Sequence, residues 1–313
     1  MTFSTKVKTE ILASKIADGN ELSMLAGIIL SAGSIVIASR QMTFNLVSEN
    51  YALLVYTKKL IVRLFPRAVV NLPQAGKNSK ARHTLSLDPE SASEILLDCG
   101  ILERDDFGRL AISLVGGSFL VQEREAKLAY LAGTFLGGGT ISIPEANSKG
   151  GYHMEWSFAS SNQAQTIAQI LAEENVISKI VARGEEYITY LKDSDAIATS
   201  VGLIGATSCY LALESSKVER GMRNLVNRQS NCISANIDKS VSAGLKQVEA
   251  IKIIGSTIGI NSLPASLKEV ANLRLEHPEA SLADLAELSG VTKSAINLRL
   301  RKIASLAKEL SGQ

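Results

Sequence analysis

The residues with the clearest chemistry lie close to the C-terminus. Between Ser289 and Lys308 the chain carries Lys293, Arg299, Arg301, Lys302 and Lys308, and no acid. Cations with no acids between them suit contacts to phosphate. Asn and Arg among them suit the major-groove edges of adenine and guanine, while Lys and Ser suit phosphate oxygens. At helical spacing Ile296, Leu300, Ile303 and Ala307 form one apolar face. The opposite side presents Ser294, Leu298, Arg301 and Lys302, with Lys293, Asn297 and Arg299 on the flanks. The expected DNA-binding set is therefore Lys293, Ser294, Asn297, Arg299, Arg301 and Lys302. A solvated basic face on an ordinary helical bundle is the competing reading.

Little other chemistry is available. His83, His153 and His277 are scattered, and Cys99, Cys209 and Cys232 are odd in number and far apart. They form neither a disulfide framework nor a zinc-ligand spacing. No catalytic residue, metal ligand or cofactor is expected from them. The formal net charge is only +2, but it is uneven. Residues 222–313 hold 12 Lys and Arg against 8 Asp and Glu, and residues 1–221 hold 21 against 23. A mildly acidic larger part thus precedes a basic tail.

The basic stretch needs a scaffold, and the pattern supplies one. Ser266-x-x-Glu269 reads as a capping box opening a helix that His277-Pro278 ends. Ser281-x-x-Asp284 reads as a second box ahead of Leu282, Leu285, Ala286 and Leu288. Ser289-Gly290-Val291 is a turn, after which Thr292 or Ser294 caps a helix to about Leu310. Helix, glycine turn and helix is the helix-turn-helix layout. Upstream, Asn227, Arg228, Asn231, Asn236 and Lys239 recur at near-helical intervals and line one polar face. That face suits phosphate contact or docking between domains, and a polar linker helix explains it equally well.

The larger part repeats itself. Leu25-Ala26-Gly27 returns 106 residues later as Leu131-Ala132-Gly133, each followed by small residues and a β-branched run. Small residues one helical turn apart let two helices approach backbone to backbone. Behind the first copy, strands are predicted over 34–39 and 42–47, a helix over 50–65, strands over 67–72 and 82–87, and a helix over 89–99. Behind the second, strands fall at 140–143 and 152–159, a helix at 162–174, strands at 177–183 and 186–191, and helices at 194–203 and 209–222. An amphipathic helix precedes the first copy over 4–17, and residues 100–122 read as a connector. The division is 1–122 for the first repeat, 123–221 for the second, and 222–313 for the linker helix and helix-turn-helix. The fold class is α+β, a duplicated αββαββα domain followed by an all-α domain. No apolar signal-peptide core or membrane span is seen, which points to the cytoplasm.

The two Leu-Ala-Gly segments resemble the motif helices of LAGLIDADG homing endonucleases, whose duplicated αββαββα fold straddles DNA with a saddle of two sheets. In that family the penultimate motif position carries an acid that holds divalent metal at the scissile phosphate. The matching positions here are Ala32 and Gly138, and the sixth positions are Leu30 and Leu136. Asp18 and Glu21 precede the first helix and sit at its wrong end. The resemblance implies a kept scaffold and lost cleavage chemistry. An active nuclease with unconventional acids is the alternative, and the saddle is either a nucleic-acid surface or a protein-binding, dimerising platform.

Across nearly its whole length the chain resembles the WhiA family. The residues that carry this are the two Leu-Ala-Gly segments, Tyr152-His153-Met154-Glu155, and Asn-Arg-x-x-Asn-Cys-x-x-Ala-Asn-x-x-Lys from Asn227 to Lys239. Ser281-Leu282 through Arg299-Leu300-Arg301-Lys302-Ile303 completes them. Leu298 departs from the polar residue, usually His, expected there. The resemblance implies a transcriptional regulator of Gram-positive bacteria, linked to cell division, chromosome segregation or sporulation. It implies double-stranded promoter DNA as partner, a second transcription regulator or RNA polymerase alongside, a nucleoid location, no membrane and no cofactor. A protein-interaction platform is the rival function.

Overall fold

The computed structural model describes residues 1–15, 19–38, 41–75, 82–113, 117–144 and 150–312. Asp18, the turn at Arg40 and the loop cations Lys77 and Lys80 lie outside them. The chain divides into two compact units, Met1–Arg220 and Gly221–Gln313.

The first unit is built on two helices, α2 (Glu21–Ala32) and α5 (Arg124–Gly138). Its order runs α1 (Phe3–Ala13), α2, β1 (Gly33–Ala38), β2 (Gln41–Ser48), α3 (Tyr51–Leu64), β3 (Val70–Asn71), β4 (His83–Leu87) and α4 (Pro89–Asp98). A hairpin of β5 (Leu102–Arg104) and β6 (Leu110–Ile112) follows. The pattern then starts again with α5, β7 (Gly139–Ser142), β8 (His153–Phe158), α6 (Ser161–Glu173), β9 (Lys179–Arg183), β10 (Glu186–Leu191) and α7 (Ser194–Leu203). The sheets are antiparallel, in orders β1-β2-β4-β3 and β7-β8-β10-β9. The duplication expected from the sequence therefore extends to strand order.

Glycine explains why α2 and α5 meet so closely. A Cβ on Gly27 would strike the Tyr130 carbonyl, and one on Gly133 would strike the Met24 carbonyl. The two approaches are reciprocal, so each Leu-Ala-Gly glycine makes room for the other helix's backbone. A Cβ on Gly137 would meet Ser31 Oγ, which itself donates to the Gly27 carbonyl at 2.7 Å. Gly33 and Gly139 end the helices in extended backbone (φ −85° and −82°), not in the left-handed conformation typical of glycine caps. Each helix thus runs directly into a strand, and a Cβ at either position would collide with a ring, Phe44 or Phe135. Alternation in β8 buries Met154, Trp156 and Phe158 while His153, Glu155 and Ser157 face outward. Trp156 meets Phe135 edge-on at 5.8 Å in the core.

Three expectations need correction. The connector 100–122 contains the β5–β6 hairpin, turned by Asp105, whose carboxylate accepts the Phe107 and Arg109 amides. β3 spans only Val70–Asn71, a fraction of the strand expected over 67–72. The helix expected at 209–222 and the polar linker helix carrying Asn227–Lys239 are one continuous helix, α8 (Thr207–Thr257).

The second unit holds the C-terminal part of α8, then α9 (Ala265–Glu276), α10 (Leu282–Ser289) and α11 (Lys293–Leu310). Its core gathers Ile251, Ile254, Val270, Leu285, Ile296, Leu300 and Ile303. The Ser281–Asp284 capping box forms as expected, with Asp284 Oδ2 accepting the Ser281 amide at 2.8 Å. The Ser266–Glu269 box does not, because α9 starts two residues early behind Pro264, whose fixed φ opens the helix without a side-chain cap. Arg274 is 1% exposed, and its guanidinium donates to the carbonyls of His277 (3.2 Å) and Ala280 (2.6 Å), which ties down the α9–α10 turn.

Candidate nucleic-acid interface

The candidate site is built on α11, and its position follows from its neighbours. Gly290 caps α10 with φ +67°, a left-handed conformation that glycine adopts without a Cβ penalty. Two residues later Thr292 accepts the Ala295 amide and opens α11. Ile296, Leu300, Ile303 and Ala307 are buried and fix the helix's rotation about its axis. That rotation turns Lys293, Ser294, Leu298, Arg301 and Lys302 to solvent, with Asn297 half-buried beside them. These residues recur at i, i+4 and i+8 as pairs, a stripe two side chains wide. Lys293, Arg301 and Lys302 have no acid within ion-pair distance among the described residues.

Arg299 is placed differently. It is half-buried, stands 3.8 Å from Glu269 Oε2 on α9, and its Nη1 is buried without a hydrogen-bond partner. It ties α11 to α9 and is not on the open stripe. Leu298 is 58% exposed in the middle of that stripe. Asn227, Arg228, Asn231, Asn236 and Lys239 are all exposed on α8, and Asn236 Nδ2 lies 3.8 Å from Cys232 Sγ.

The first unit offers two further surfaces. At the C-terminal ends of the paired helices stand Ala32 and Gly138, with Leu30 and Leu136 two residues earlier. None of these can donate a carboxylate. Glu21 is at the opposite end of α2, bound to Arg63 at 2.8 Å. Among the described residues no cluster of three or more His, Cys, Asp or Glu is arranged to hold a metal.

The outward faces of the sheets are the second surface. Register and alternation put Ser34, Val36, Thr43, Asn45, Val47, Thr84 and Ser86 on the outward face of the first sheet. It is a neutral surface of hydroxyls, an amide and valines. Arg67 and Arg82 lie before the strands rather than on them, and Arg82 is 3.8 Å from Glu49. On the second sheet Glu155 accepts His153 Nε2 at 2.8 Å and lies 3.7 Å from Arg183. Lys192 sits over the Tyr190 ring. Glu155 thus meets His153 and Arg183, while Lys179 and Glu186 are exposed with no ion pair among the described residues.

Comparison with known proteins agrees with this architecture. Residues 127–223 match the family model of the WhiA LAGLIDADG-like domain, and residues 226–307 match that of the WhiA C-terminal HTH domain. The chain is 32% identical to a protein named "Probable cell division protein WhiA" from Clostridium acetobutylicum, over 99% of this chain and 98% of that one. It is 34% identical to the protein of the same name from Clostridium perfringens, with the same coverage of each. Its fold is similar to the crystal structure of full-length DUF199/WhiA from Thermatoga maritima, with a TM-score of 0.57, 21% identity and 99% of each chain covered. No helix among the described residues is long and apolar enough to cross a membrane. By full-length identity to its curated relatives, and by a LAGLIDADG-like part followed by a helix-turn-helix, the chain belongs to the WhiA family.

Proposed function

We propose that the chain is a sequence-specific DNA-binding transcription regulator that reads promoter DNA with α11. The observation that carries this reading is the open stripe of Lys293, Ser294, Asn297, Arg301 and Lys302, in which the cations have no acidic partners among the described residues. In a helix-turn-helix the second helix enters the major groove, where Asn and Arg reach base edges and Lys reaches phosphate. Arg299 supports α11 from behind. The exposed Leu298 suits the C5-methyl of thymine. Asn227, Arg228, Asn231, Asn236 and Lys239 supply further polar contacts, to phosphate or between the parts of the chain.

The first unit acts as a scaffold rather than a nuclease, because neither Ala32 nor Gly138 can ligate the metal that in-line cleavage needs. The neutral first-sheet face, with Val36 and Val47 exposed, suits a protein partner such as a second regulator or RNA polymerase better than a polyanion. The names of the curated relatives support a role in cell division, and a promoter-binding regulator would exercise it at the nucleoid. The test is fluorescence-anisotropy titration of the full chain on promoter-sized duplexes. Asn297→Ala should relax sequence preference, and Lys302→Ala should weaken all duplexes alike. Supercoiled plasmid with Mg²⁺ or Mn²⁺ should stay intact.

A further inference from the structure

About 16 Å along α2 from Ala32, at the opposite end of the helix, lies a recess that DNA binding does not use. It has a volume of about 410 Å³ and is walled by the end of α1, the start of α2 and one face of α3. Tyr56, Lys59 and Arg63 fall at i, i+3 and i+7 on α3 and so share a wall, facing Lys15 and Glu21. Glu21 is 6% exposed, and both its oxygens are occupied, one by the Gly19 amide at 2.9 Å and the other by Arg63 at 2.8 Å. That pairing leaves Lys15 and Lys59 with no acidic partner among the described residues. Tyr56 Oη is buried and has no hydrogen-bond partner there. Burial and the Glu21 carboxylate push the Tyr56 pKa up to about 12, so the hydroxyl keeps its proton as a donor. Among the described residues the Tyr56 hydroxyl lacks an acceptor in a recess that Lys15 and Lys59 also line, and an anion supplies one.

A second surface adjoins the first. Tyr51, Val55, Lys58, Val62 and Leu72 line a groove of about 540 Å³ that shares Lys59 and Arg63 with the recess, so its apolar side chains are edged by cations. Its floor is fixed, since Tyr51 donates to the Pro73 carbonyl at 3.2 Å and its ring meets His83 edge-on at 5.0 Å. An anionic well beside an apolar groove fits a molecule with both characters. We propose that this recess binds a small organic phosphate, with Lys15, Lys59 and the Tyr56 hydroxyl holding the phosphate and the Tyr51–Val55–Val62–Leu72 surface holding its apolar portion. A phosphate dianion matches Lys15 and Lys59 in the recess, and Lys58 at the edge of the groove adds to the same positive field.

Isothermal titration of the full-length protein with inorganic phosphate, octyl phosphate and adenosine monophosphate tests this. At least one of the two esters should bind about tenfold more tightly than inorganic phosphate, because only the esters reach the groove. Whichever ester binds more tightly identifies the body as aliphatic or nucleobase-like, and either result supports the site. Tyr56→Phe keeps the ring and removes only an unpaired hydroxyl, so its melting curve should match wild type. Tyr56→Phe and the exposed Lys59→Ala should each weaken the better ester about tenfold. Lys302→Ala on α11 should leave it unchanged. Absence of binding, equal affinity for all three probes, or binding that survives both Tyr56→Phe and Lys59→Ala would overturn the proposal.

Discussion

The outward faces of the two sheets and the outward stripe of α11 differ both in the charges they carry and in how those charges are met. On the second sheet, Glu155 answers both His153 and Arg183, and on the first the described strand positions carry no charge at all. On α11, Lys293, Arg301 and Lys302 point to solvent without an acid in reach among the described residues, and the one arginine that does have a partner, Arg299, is turned away. A polyanion gains from releasing counterions only where the protein's cations are not already neutralised. The sheets have the architecture associated with straddling DNA, yet α11 has the electrostatics. A shared fold fixes the scaffold alone, so the choice between these surfaces falls to the individual side chains.

The contrast can be broken first at Arg274. Its guanidinium satisfies several carbonyls inside the second unit, so Arg274→Met should cost that unit about 3 kcal/mol and take DNA affinity with it. Amide hydrogen exchange should show faster opening in residues 265–310 and unchanged protection in α2 and α5. Loss of protection in both units together would mean that the helix-turn-helix does not fold as a separate cooperative block.

Asn297→Ala should cost about 1–3 kcal/mol on the preferred duplex and little on a scrambled one. Leu298→Ala should cost less. Its effect should disappear when thymine in the site is replaced by deoxyuridine, which lacks only the methyl group. A Leu298 effect that persists on deoxyuridine duplexes would remove the thymine contact from the account.

Glu10 provides a control confined to the first unit. Its carboxylate caps the start of α8, accepting the Ser208 amide at 2.5 Å and the Cys209 amide at 2.9 Å. Burial raises its pKa, but those hydrogen bonds outweigh burial and hold it below the ordinary carboxylate value. The stabilisation is therefore complete above about pH 4.3 and is lost as pH falls through the lowered folded-state value. Glu10→Gln should cost about 1 kcal/mol at pH 7, flatten the acid limb of the stability curve, and leave DNA affinity unchanged. Smallest of all, Arg183→Ala on the second sheet should change DNA affinity by no more than about twofold, because Glu155 already screens that charge. A larger drop in affinity would make the sheet a DNA surface after all.

Much of this organisation is legible in the sequence because it is local or periodic. Leu-Ala-Gly spacing gives the helix pair, alternation around Trp156 gives a strand with one buried face, and Ser281-x-x-Asp284 gives a cap. What sequence reasoning misses depends on partners far away in the chain. Helical period places Arg299 on a flank, and only the fold reveals Glu269 beside it. Ser266 has the look of a cap because the motif is short, but Pro264 opens the helix ahead of it. The β5–β6 hairpin has strands of three residues, too short for periodicity, although Asp105 and Gly108 mark its turn. Glu10 caps a helix nearly 200 residues away, and the Tyr56 recess draws on three elements whose proximity no window of sequence displays.

On the proposed reading the clustered cations of α11 hold the DNA, and the isolated Lys179 and Arg183 of the second sheet do not. The most direct measurement is the affinity of the full chain for one promoter-sized duplex across a range of salt concentrations. It compares wild type, the double variant Arg301→Ala/Lys302→Ala, and a sheet variant, Lys179→Ala/Arg183→Ala. The account predicts that the α11 double variant flattens the slope of log K against log salt by about 1 for each phosphate left without its cation, and weakens binding at every salt concentration. The sheet variant should keep the wild-type slope. A slope that falls for the sheet variant and stays at the wild-type value for the α11 variant would contradict the account.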